Sequence, residues 1–329
     1  MLILTASDVC KALPMDQTIG AMKNAFAALS AGQAEVPLRA RLPVPPQQGV
    51  SLFMPSFVDS DSGQALAVKV VSVFPHNPEK GHPLIYAAVL VMDAESAKPL
   101  ALLEGGTLTA IRTGAGAGAA TYLLARRDSK TAAIFGAGVQ GRTQLEAICT
   151  VRQIDTAWIY DQDEEKTNAL IEEMAGQGTI PKNLRAASSP AQAVAEADVI
   201  SAATTSHTPV FDAADMKAGA HINGIGSYLP EMQEIPAEAI QQALVVVDSR
   251  SASLAESGDL IQPIQQGLFG EDHIHAELGE IVLGKKSGRT EEGQITYFKS
   301  VGVAVQDAMA GQLALDNADI LGLGQHIDW

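Results

Sequence analysis

The sequence predicts an α/β fold made of two domains, a doubly wound parallel sheet and a smaller α+β domain. From Thr131 onward, short apolar runs alternate with helical segments, which is typical of a parallel sheet with crossover helices. Before about residue 105, apolar runs follow one another without helices between them, which indicates antiparallel pairing. The length of 329 residues suits two domains, which we place at residues 1–113 with 306–329 and at residues 114–305.

The smaller domain begins with one predicted helix over residues 5–31. Thr5 or Ser7 can cap this helix, and apolar residues recur at spacings of three and four over residues 15–29. Prolines and polar turns then separate several apolar runs of β type, which predict a meander of strands. The strand candidates are residues 50–54, 65–74, 84–92 and 99–103.

A run of glycines and alanines over residues 114–120 predicts a helix that starts after Arg112 and Thr113. Small side chains allow a close approach to a neighbouring element. We expect this helix to connect the two domains.

The larger domain is predicted to hold about six parallel strands, with helices between most of them. Residues 274–284 predict another helix and residues 295–299 a late strand. Residues 300–315 predict a final helix that returns to the smaller domain. The six strand candidates are residues 131–136, 157–161, 184–187, 198–203, 219–225 and 244–248.

The first βαβ unit of the larger domain carries a glycine-rich turn. Gly136, Gly138 and Gly141 follow an apolar run in a G-x-G-x-x-G pattern and open a helical segment, and the next apolar run ends at Asp161. The first glycine permits a tight turn, the second lets the backbone approach a pyrophosphate, and the third lets helix and strand pack closely. An acid at the position of Asp161 can accept hydrogen bonds from ribose hydroxyls. The unit therefore predicts a dinucleotide-binding Rossmann domain.

The residues after Asp161 predict NAD as the cofactor, with NADH preferred over NADPH. Gln162, Asp163, Glu164 and Glu165 come next, and a ribose 2′-phosphate would meet several negative charges there. The following residue, Lys166, is the nearby cation that argues in the other direction.

The bulk properties exclude several other classes of protein. A net charge of −16 disfavours nucleic acid and anionic membranes as partners. No apolar run approaches about 18 residues, and the N-terminus lacks a signal-peptide pattern, so we expect a cytoplasmic protein. Cys10 and Cys149 are too few for a disulfide framework, and their apolar surroundings predict buried free thiols.

Polar residues of the larger domain give few signs of a metal centre. His273, His275, Glu277 and Glu280 would lie on different faces of a helix, so we expect no metal site. We also expect His221 to lie at the surface. Asp248 and Asp259 are expected to be acids of turns or helix caps.

Three cations stand out in the smaller domain of this acidic chain. Arg39 follows Pro37, Lys69 interrupts an apolar strand, and Arg112 lies at the join between the domains. A lysine within a β run is ordinarily at a solvent-facing or edge position. The alternative is that the three cations bind a small carboxylate, which the arginine fork recognises well.

The chain resembles the ornithine cyclodeaminase/mu-crystallin family, whose enzymes carry out NAD(P)-dependent amino-acid and imino-acid chemistry. The similarity spans nearly the whole chain and both domains. The matching segments are residues 36–39, 53–55, 68–70, 108–113, 136–142, 203–206, 222–227, 230–234 and 296–307.

The resemblance implies a role for each matching position. Arg39, Lys69 and Arg112 would hold a substrate carboxylate, and Val301 would lie near the substrate. A homodimer formed through the smaller domain is also implied. The cofactor-binding positions implied by the resemblance are Thr113, Gly136, Ala137, Gly138, Val139, Gln140, Gly141, Asp161, Thr204, Gly226 and Ser300.

One position departs from the pattern of the cyclodeaminases and alanine dehydrogenases, which place Asp where this chain has Tyr228. Ketimine reductases similar to mu-crystallin would have Ser there. A tyrosine hydroxyl is a poor base at neutral pH, although Tyr228 or the adjacent Ser227 can donate a hydrogen bond or relay a proton through water. A packing role for Tyr228 is the alternative. The lysine expected beside the nicotinamide amide is Met232 here, and both departures disfavour ornithine cyclisation.

These residues and the resemblance predict an NAD(P)H-dependent imine reductase. Its substrate would be Δ1-pyrroline-2-carboxylate or Δ1-piperideine-2-carboxylate, giving L-proline or L-pipecolate, with Lys69, Tyr228 and Ser227 as the catalytic candidates. Hydride transfer to an iminium carbon needs no strong base, which suits a site without the Asp. Ornithine cyclodeaminase and alanine dehydrogenase activities remain alternatives, as does a mu-crystallin-like protein that binds NAD(P) without catalysis.

Overall fold

The computed structural model describes residues 1–328 and divides into two compact units. The first unit comprises Met1–Arg112 together with the chain from Val303 onward, and the second comprises Thr113–Gly302. Within the described residues, no helix is long and apolar enough to cross a membrane.

The first unit is built on a sheet that has eight strands within residues 1–328. The strands are β1 (Leu2–Leu4), β2 (Ala34–Glu35), β3 (Ala40–Val44), β4 (Gly49–Ser60), β5 (Gly63–Val73), β6 (Ile85–Met92), β7 (Pro99–Glu104) and β16 (Gln325–His326). The centre of the sheet is an antiparallel meander, as predicted, in which β4 and β5 pair in register from Val50 opposite Val73 to Ser60 opposite Gly63. An unpredicted N-terminal strand, β1, lies parallel to β7 at one side of the meander.

The predicted helix over residues 5–31 is wrong in one respect, because two helices occupy this segment. They are α1 (Ala6–Ala12), which Thr5 and Asp8 cap reciprocally, and α2 (Met15–Ser30). Pro14 separates them, since a proline disfavours helical geometry in the residue before it, and Leu13 has φ −119° and ψ 66°. Apolar side chains of α2 form part of the core of the unit.

The prediction of two buried free thiols is right for one cysteine only. Both thiols are free, and Cys149 is buried, but Cys10 is exposed. The short helix α1 buries Val9 and Ala12, and Cys10 lies outside that narrow face.

The final helix, α11 (Ala304–Leu321), begins later and runs further than predicted. It packs against α2, β4 and β5 within the first unit. The facing side chains of β5 are alternate residues, among them Ala65, Ala67 and Lys69, all of which are buried.

Helix α3 (Gly105–Leu124) carries the chain from the first unit into the second. It begins earlier than predicted, because the Glu104 carboxylate accepts hydrogen bonds from the backbone of Gly106 at 2.7 Å and Thr107 at 2.8 Å. The predicted close packing of its small residues is confirmed at Gly114, where an added Cβ would lie 2.6 Å from the carbonyl oxygen of Thr143.

The second unit contains a fully parallel sheet of eight strands within the described residues, which confirms the doubly wound fold. Seven of the eight correspond to predicted strands, including the late strand at residues 295–299, and β14 was not predicted. The strands are β8 (Thr131–Phe135), β9 (Thr156–Tyr160), β10 (Leu184–Ala186), β11 (Val199–Ala202), β12 (His221–Gly224), β13 (Leu244–Val247), β14 (Ile274–Glu277) and β15 (Thr296–Lys299). Their order is β10-β9-β8-β11-β12-β15-β13-β14, and the direction of winding reverses between β8 and β11.

Helices lie between most of these strands, but the helix predicted over residues 274–284 is wrong. Its first half is β14, because Ile274 pairs with Val245 of β13, and only its second half is helical. The helices are α4 (Val139–Val151), α5 (Glu164–Met174), α6 (Pro190–Val194), α7 (Ala237–Gln242), α8 (Arg250–Glu256), α9 (Gly258–Gln265) and α10 (Leu278–Val282).

Candidate active site: a dinucleotide groove and a buried cationic cluster

The glycine turn after β8 has the geometry that a dinucleotide requires. Gly136 has φ +93°, and a Cβ there would lie 2.6 Å from the carbonyl oxygen of Ala203. A Cβ on Gly141 would clash with the carbonyl oxygen of Gly136. A Cβ on Gly138 would meet nothing within 4 Å, so open space faces the N-terminus of α4. This is where the positive end of the helix favours a pyrophosphate, and the residues present fit one.

Asp161 follows β9 and lies against this turn. Its carboxylate accepts hydrogen bonds from the backbone of Ala137 at 2.8 Å and of Asp163 at 3.0 Å. The Nζ of Lys166, the nearby cation, is 3.6 Å from the carboxylate of Asp163. A cavity of ≈ 710 Å³ opens beside these residues, lined by Tyr160, Asp161, Gln162, Asp163, Lys166, Pro190, Thr204, Thr205, Ser206, His207, Thr208, Pro209 and Val210.

Glu234, which no local sequence pattern distinguishes, joins the two predicted cofactor-binding residues Thr204 and Gly226. Its fully buried carboxylate accepts hydrogen bonds from the backbone of Thr204 at 2.5 Å, Gly226 at 2.5 Å and Ser227 at 2.9 Å. Burial and the neighbouring Asp259 raise the pKa of Glu234, Lys299 opposes the change, and the resulting pKa is about 7.

Asp259 is a second buried carboxylate, not the turn or cap acid that the sequence predicted. It accepts hydrogen bonds from the backbone of Glu234 at 2.7 Å and Ile235 at 3.1 Å. Two side chains of β15 also donate to it, the hydroxyl of Tyr297 at 3.2 Å and the Nζ of Lys299 at 3.1 Å. The ammonium of Lys299 thus compensates part of the buried negative charge.

Asp248 is likewise buried and organises the segment after β15. Its Oδ2 accepts hydrogen bonds from the Ser300 hydroxyl at 2.9 Å and from the backbone of Val301 and Gly302, each at 2.8 Å. The predicted site residues Ser300 and Val301 are therefore held by an acid at the end of β13. No local sequence signal separates this acid from an ordinary turn residue.

His221 is another residue whose predicted surface position is wrong. It is completely buried in β12, and its ring nitrogens lie 2.9 Å from the hydroxyl of Thr296 and 3.1 Å from the amide oxygen of Asn223. Burial lowers the pKa of His221 to about 3, so its imidazole is neutral at physiological pH. Its role is therefore structural.

Lys69 and Arg112 meet in the first unit through a residue that the sequence analysis did not assign. Asp307 of α11 lies 2.7 Å from Lys69 Nζ and 3.0 Å from Arg112 Nε. Lys69 is 1% exposed and Arg112 is 5% exposed, so the solvent-facing or edge position expected for a strand lysine is wrong.

The electrostatics of this cluster favour an anionic ligand. Burial, Arg112 and, more weakly, Arg39 lower the pKa of Lys69, Asp307 opposes the shift, and the resulting pKa is about 7. Two cations share a single carboxylate in Asp307, and Arg39 adds to their repulsion. A bound carboxylate would relieve that repulsion and restore the charged form of Lys69.

Gln306 precedes Asp307 and orients Arg112. Its amide oxygen accepts hydrogen bonds from Arg112 Nη1 at 3.1 Å and from the backbone of Val303 at 3.0 Å. Its buried Nε2 has no acceptor among residues 1–328. A buried donor of this kind is costly unless something else satisfies it.

Comparison with known proteins identifies the family of this chain. The model of the ornithine cyclodeaminase/mu-crystallin family matches residues 1–320. The chain belongs to this family.

Three relatives within the family are especially informative. A Δ1-pyrroline-2-carboxylate reductase of Bacillus cereus is 40% identical over the full length of both chains. The structure of the Thermococcus litoralis Δ1-pyrroline-2-carboxylate reductase with NADH and L-proline has a TM-score of 0.94 and 43% identity, covering 99% of this chain and 100% of that one. An archaeal alanine dehydrogenase dimer with bound NAD has a TM-score of 0.91 and 30% identity, covering 100% of this chain and 99% of that one.

The segment after β12 contains Tyr228, Ser227 and Met232, where the sequence predicts a departure from the cyclodeaminases. Tyr228 is 40% exposed, whereas Ser227 and Met232 are buried. The Ser227 hydroxyl donates to the Met232 carbonyl oxygen at 2.9 Å and accepts from the Asp259 backbone at 3.3 Å. Of the two hydroxyls, only that of Tyr228 belongs to an exposed side chain.

Proposed function

We propose that this protein is an imine reductase that uses NADH to convert Δ1-pyrroline-2-carboxylate into L-proline. The observation that carries the proposal is the full-length similarity to the Thermococcus litoralis reductase that binds NADH and L-proline, at 43% identity and a TM-score of 0.94. Δ1-Piperideine-2-carboxylate, which has one more methylene in its ring, is a second substrate of the same chemistry.

Arg39, Lys69 and Arg112 are the proposed ligands of the substrate carboxylate. Asp307 and Gln306 accept hydrogen bonds from Nε and Nη1 of Arg112. These two bonds fix the plane of the guanidinium, and Nη2 can then donate to a carboxylate. The Lys69 ammonium supplies a second donor, and it also polarises the C=N group.

The second unit holds the proposed cofactor and proton donor. Bound NADH would supply the hydride that reduces the imine carbon. Residues 136–141 bind its phosphates, Asp161 its adenosine ribose, and Thr113, Thr204, Gly226 and Ser300 complete its site. The nitrogen of the product gains its proton through Tyr228, directly or through water, because the side chain of Tyr228 is exposed whereas that of Ser227 is buried.

The proposed preference for NADH over NADPH rests on the charges beside the ribose position. Asp161 lies in the cavity wall with Asp163, and the nearby Lys166 is paired with Asp163. A 2′-phosphate would therefore face two carboxylates and a cation that is already engaged.

We also propose a homodimer formed through the outer face of the sheet in the first unit. The register places Leu42, Phe53, Val70 and Tyr86 on this face. Leu42 and Tyr86 are each 54% exposed and Phe53 is 36% exposed. Ser51 and Ser72 lie between Leu42 and Tyr86 and hydrogen-bond to each other at 2.8 Å, so the face also contains a small polar pair. Exposed apolar side chains gathered on one face of a sheet are typical of a protein–protein interface.

The activity is tested with purified protein, NADH and a panel of substrates. Oxidation of NADH in the presence of pyrroline-2-carboxylate, with formation of L-proline, is the expected result, and no oxidation with either cyclic imine would refute the proposal. Net NADH formation from L-alanine would instead identify an alanine dehydrogenase. Ammonia release from L-ornithine with catalytic NAD⁺ would identify a cyclodeaminase.

Lys69→Met separates an enzyme from a protein that only binds NAD(P). We expect the variant to lose turnover by about 100-fold or more while NADH affinity stays within about twofold, because the cluster that contains Lys69 lies in the other unit from the glycine turn. Lys98→Met, at an exposed lysine of the same unit, is the matched control. NADH binding without turnover in the wild type would favour the non-catalytic alternative, and equal turnover in both variants would show that the enzyme does not need Lys69.

A further inference from the structure

The carboxyl ends of the adjacent strands β11 and β12 are joined by one side chain, that of Glu234. The two strands pair in parallel, with Ala202 opposite Gly224. The segments that follow them both donate backbone hydrogen bonds to Glu234, with Thr204 N bonding to Oε1 and Gly226 N and Ser227 N to Oε2. Each carboxylate oxygen therefore holds a different segment.

The two segments are packed too tightly around this carboxylate to accept another arrangement. A Cβ on Gly226 would lie 2.6 Å from both Thr204 N and Glu234 Oε1, and it would clash with the carbonyl oxygen of Thr204. Glycine at 226 thus allows the backbone of the second segment to reach the first, and Glu234 holds them there.

The backbone of Glu234 is itself held in place by a second layer of buried polar groups. Asp259 accepts a hydrogen bond from the Glu234 backbone, and Tyr297 and Lys299 of β15 donate to Asp259. Burying two acids beside a single lysine is costly, and such an arrangement has to satisfy nearly every polar group. These buried groups lie at the carboxyl ends of the strands, and their direct effect is to hold the backbone of the two loops that follow β11 and β12.

Open α/β sheets bind their ligands at the carboxyl ends of their strands. In a doubly wound sheet, a dinucleotide lies across the point at which the winding reverses, with one mononucleotide half on either side. Here the reversal falls between β8 and β11, and the glycine turn and Asp161 belong to the β8–β9 side. The loop after β12 therefore faces the half of the cofactor that carries the nicotinamide, and the loop after β11, whose Thr204 also lines the cavity beside Asp161, lies between the two halves.

We propose that Glu234 is a positioning residue for the nicotinamide half of the cofactor. Its carboxylate sets the separation of Thr204 from Gly226 and Ser227. It thereby sets the shape of the surface that these backbone segments present to the cofactor. The inference deepens the proposed NADH-dependent function and rests on it. Glu234 does not contact the reacting atoms.

The test compares Glu234→Gln with Glu231→Gln, which removes the same charge from an exposed position in the same segment. The amide retains one acceptor oxygen and places an NH₂ group against backbone N–H donors, so one segment must move away. We expect Glu234→Gln to raise the Kd of NADH, measured by the fluorescence of the bound nicotinamide, by about tenfold or more. Glu231→Gln should stay within about twofold of the wild type. The KM of the imine at saturating NADH should change less than about twofold in both variants.

A second variant covers the case in which Glu234→Gln does not fold. Glu234→Asp keeps the charge but is one methylene shorter, so it can hold one segment but not both, and we again expect a weaker NADH complex with a native circular dichroism spectrum. NADH affinity within about twofold of the wild type in a folded Glu234 variant would overturn the inference. An equal loss of NADH and imine affinities would also overturn it, because it would indicate a general structural defect. Failure of the wild-type protein to bind NADH would instead refute the proposed function.

Discussion

Lys69 occupies an inward-facing position of β5, and its charge depends on its neighbours. Desolvation and the two arginines favour the neutral amine, whereas Asp307 favours the ammonium. The balance gives a pKa of about 7, well below the ordinary value of 10.5. A group with this pKa changes its charge within the physiological range, and the substrate affinity should change with it.

The first prediction concerns the pH dependence of substrate capture. Below a pH of about 7 Lys69 is protonated and can bind a carboxylate, so kcat/KM for the imine should fall as the pH rises through that value. Asp307→Asn removes the group that stabilises the ammonium, which lowers the pKa of Lys69 further. The falling limb of the profile should therefore move to lower pH in this variant, with the same substrate and buffers.

Asp316→Asn, at an acid further along the same helix, serves as the control for this profile. Superimposable profiles for wild type and Asp307→Asn would show that the titration of Lys69 does not limit catalysis.

Asp161 is the residue on which the choice of cofactor should depend. Its carboxylate is already held in place by the backbone of Ala137 and Asp163. Asp161→Ser should reduce the preference for NADH over NADPH, expressed as the ratio of the two kcat/KM values, by about tenfold, because the repulsion of a 2′-phosphate is weakened. Glu172→Gln removes an exposed charge near the far end of α5 and should leave the ratio unchanged. An unchanged ratio in Asp161→Ser would place the discrimination elsewhere.

Among the elements, the turn between β8 and α4 was the most completely predictable. Its three glycines, the apolar strand before it and the helix after it are consecutive in sequence, so the local pattern contains nearly all the information. Glycine serves two different purposes within this one turn. Gly136 and Gly141 are required by the protein's own packing, whereas the space around Gly138 is open.

This difference predicts opposite outcomes for two alanine substitutions. Gly141→Ala forces a Cβ against the carbonyl of Gly136 and should lower the free energy of unfolding by about 1–3 kcal/mol, seen as a lower Tm. Gly138→Ala should change the Tm little but weaken NADH binding by about tenfold, because the methyl group occupies the space of the pyrophosphate. A Gly138→Ala variant that binds NADH normally would show that the phosphates lie elsewhere.

Other elements were predicted only in part, because contacts between distant residues decided their limits. The sequence over residues 274–284 has a helical spacing of apolar residues, yet pairing with β13 makes its first half a strand. Helix α3 starts at Gly105, where Glu104 caps it, although two consecutive glycines disfavour a helix start by propensity.

For the whole molecule, the proposed dimer makes a direct prediction. Tyr86→Asp places a charge on the apolar outer face of the first sheet and should shift the protein from dimer to monomer at micromolar concentration, as measured by sedimentation velocity. Ile320→Asp introduces the same charge on α11, at a side chain that is 80% exposed, and should leave the dimer intact. A Tyr86→Asp variant that remains dimeric would rule out this face as the interface.

The sequence alone was sufficient for the family, the doubly wound sheet and the glycine turn after β8, because each depends on residues that are close in the chain or on motifs that recur together. Only the tertiary structure revealed that Lys69 and Arg112 share Asp307, that Glu234 joins the ends of two strands, and that Asp248 holds Ser300 and Val301. An acid in an exposed turn and an acid buried at the carboxyl end of a strand look the same in sequence. What distinguishes them is the set of donors that folding brings from distant segments, together with the desolvation that makes those hydrogen bonds necessary.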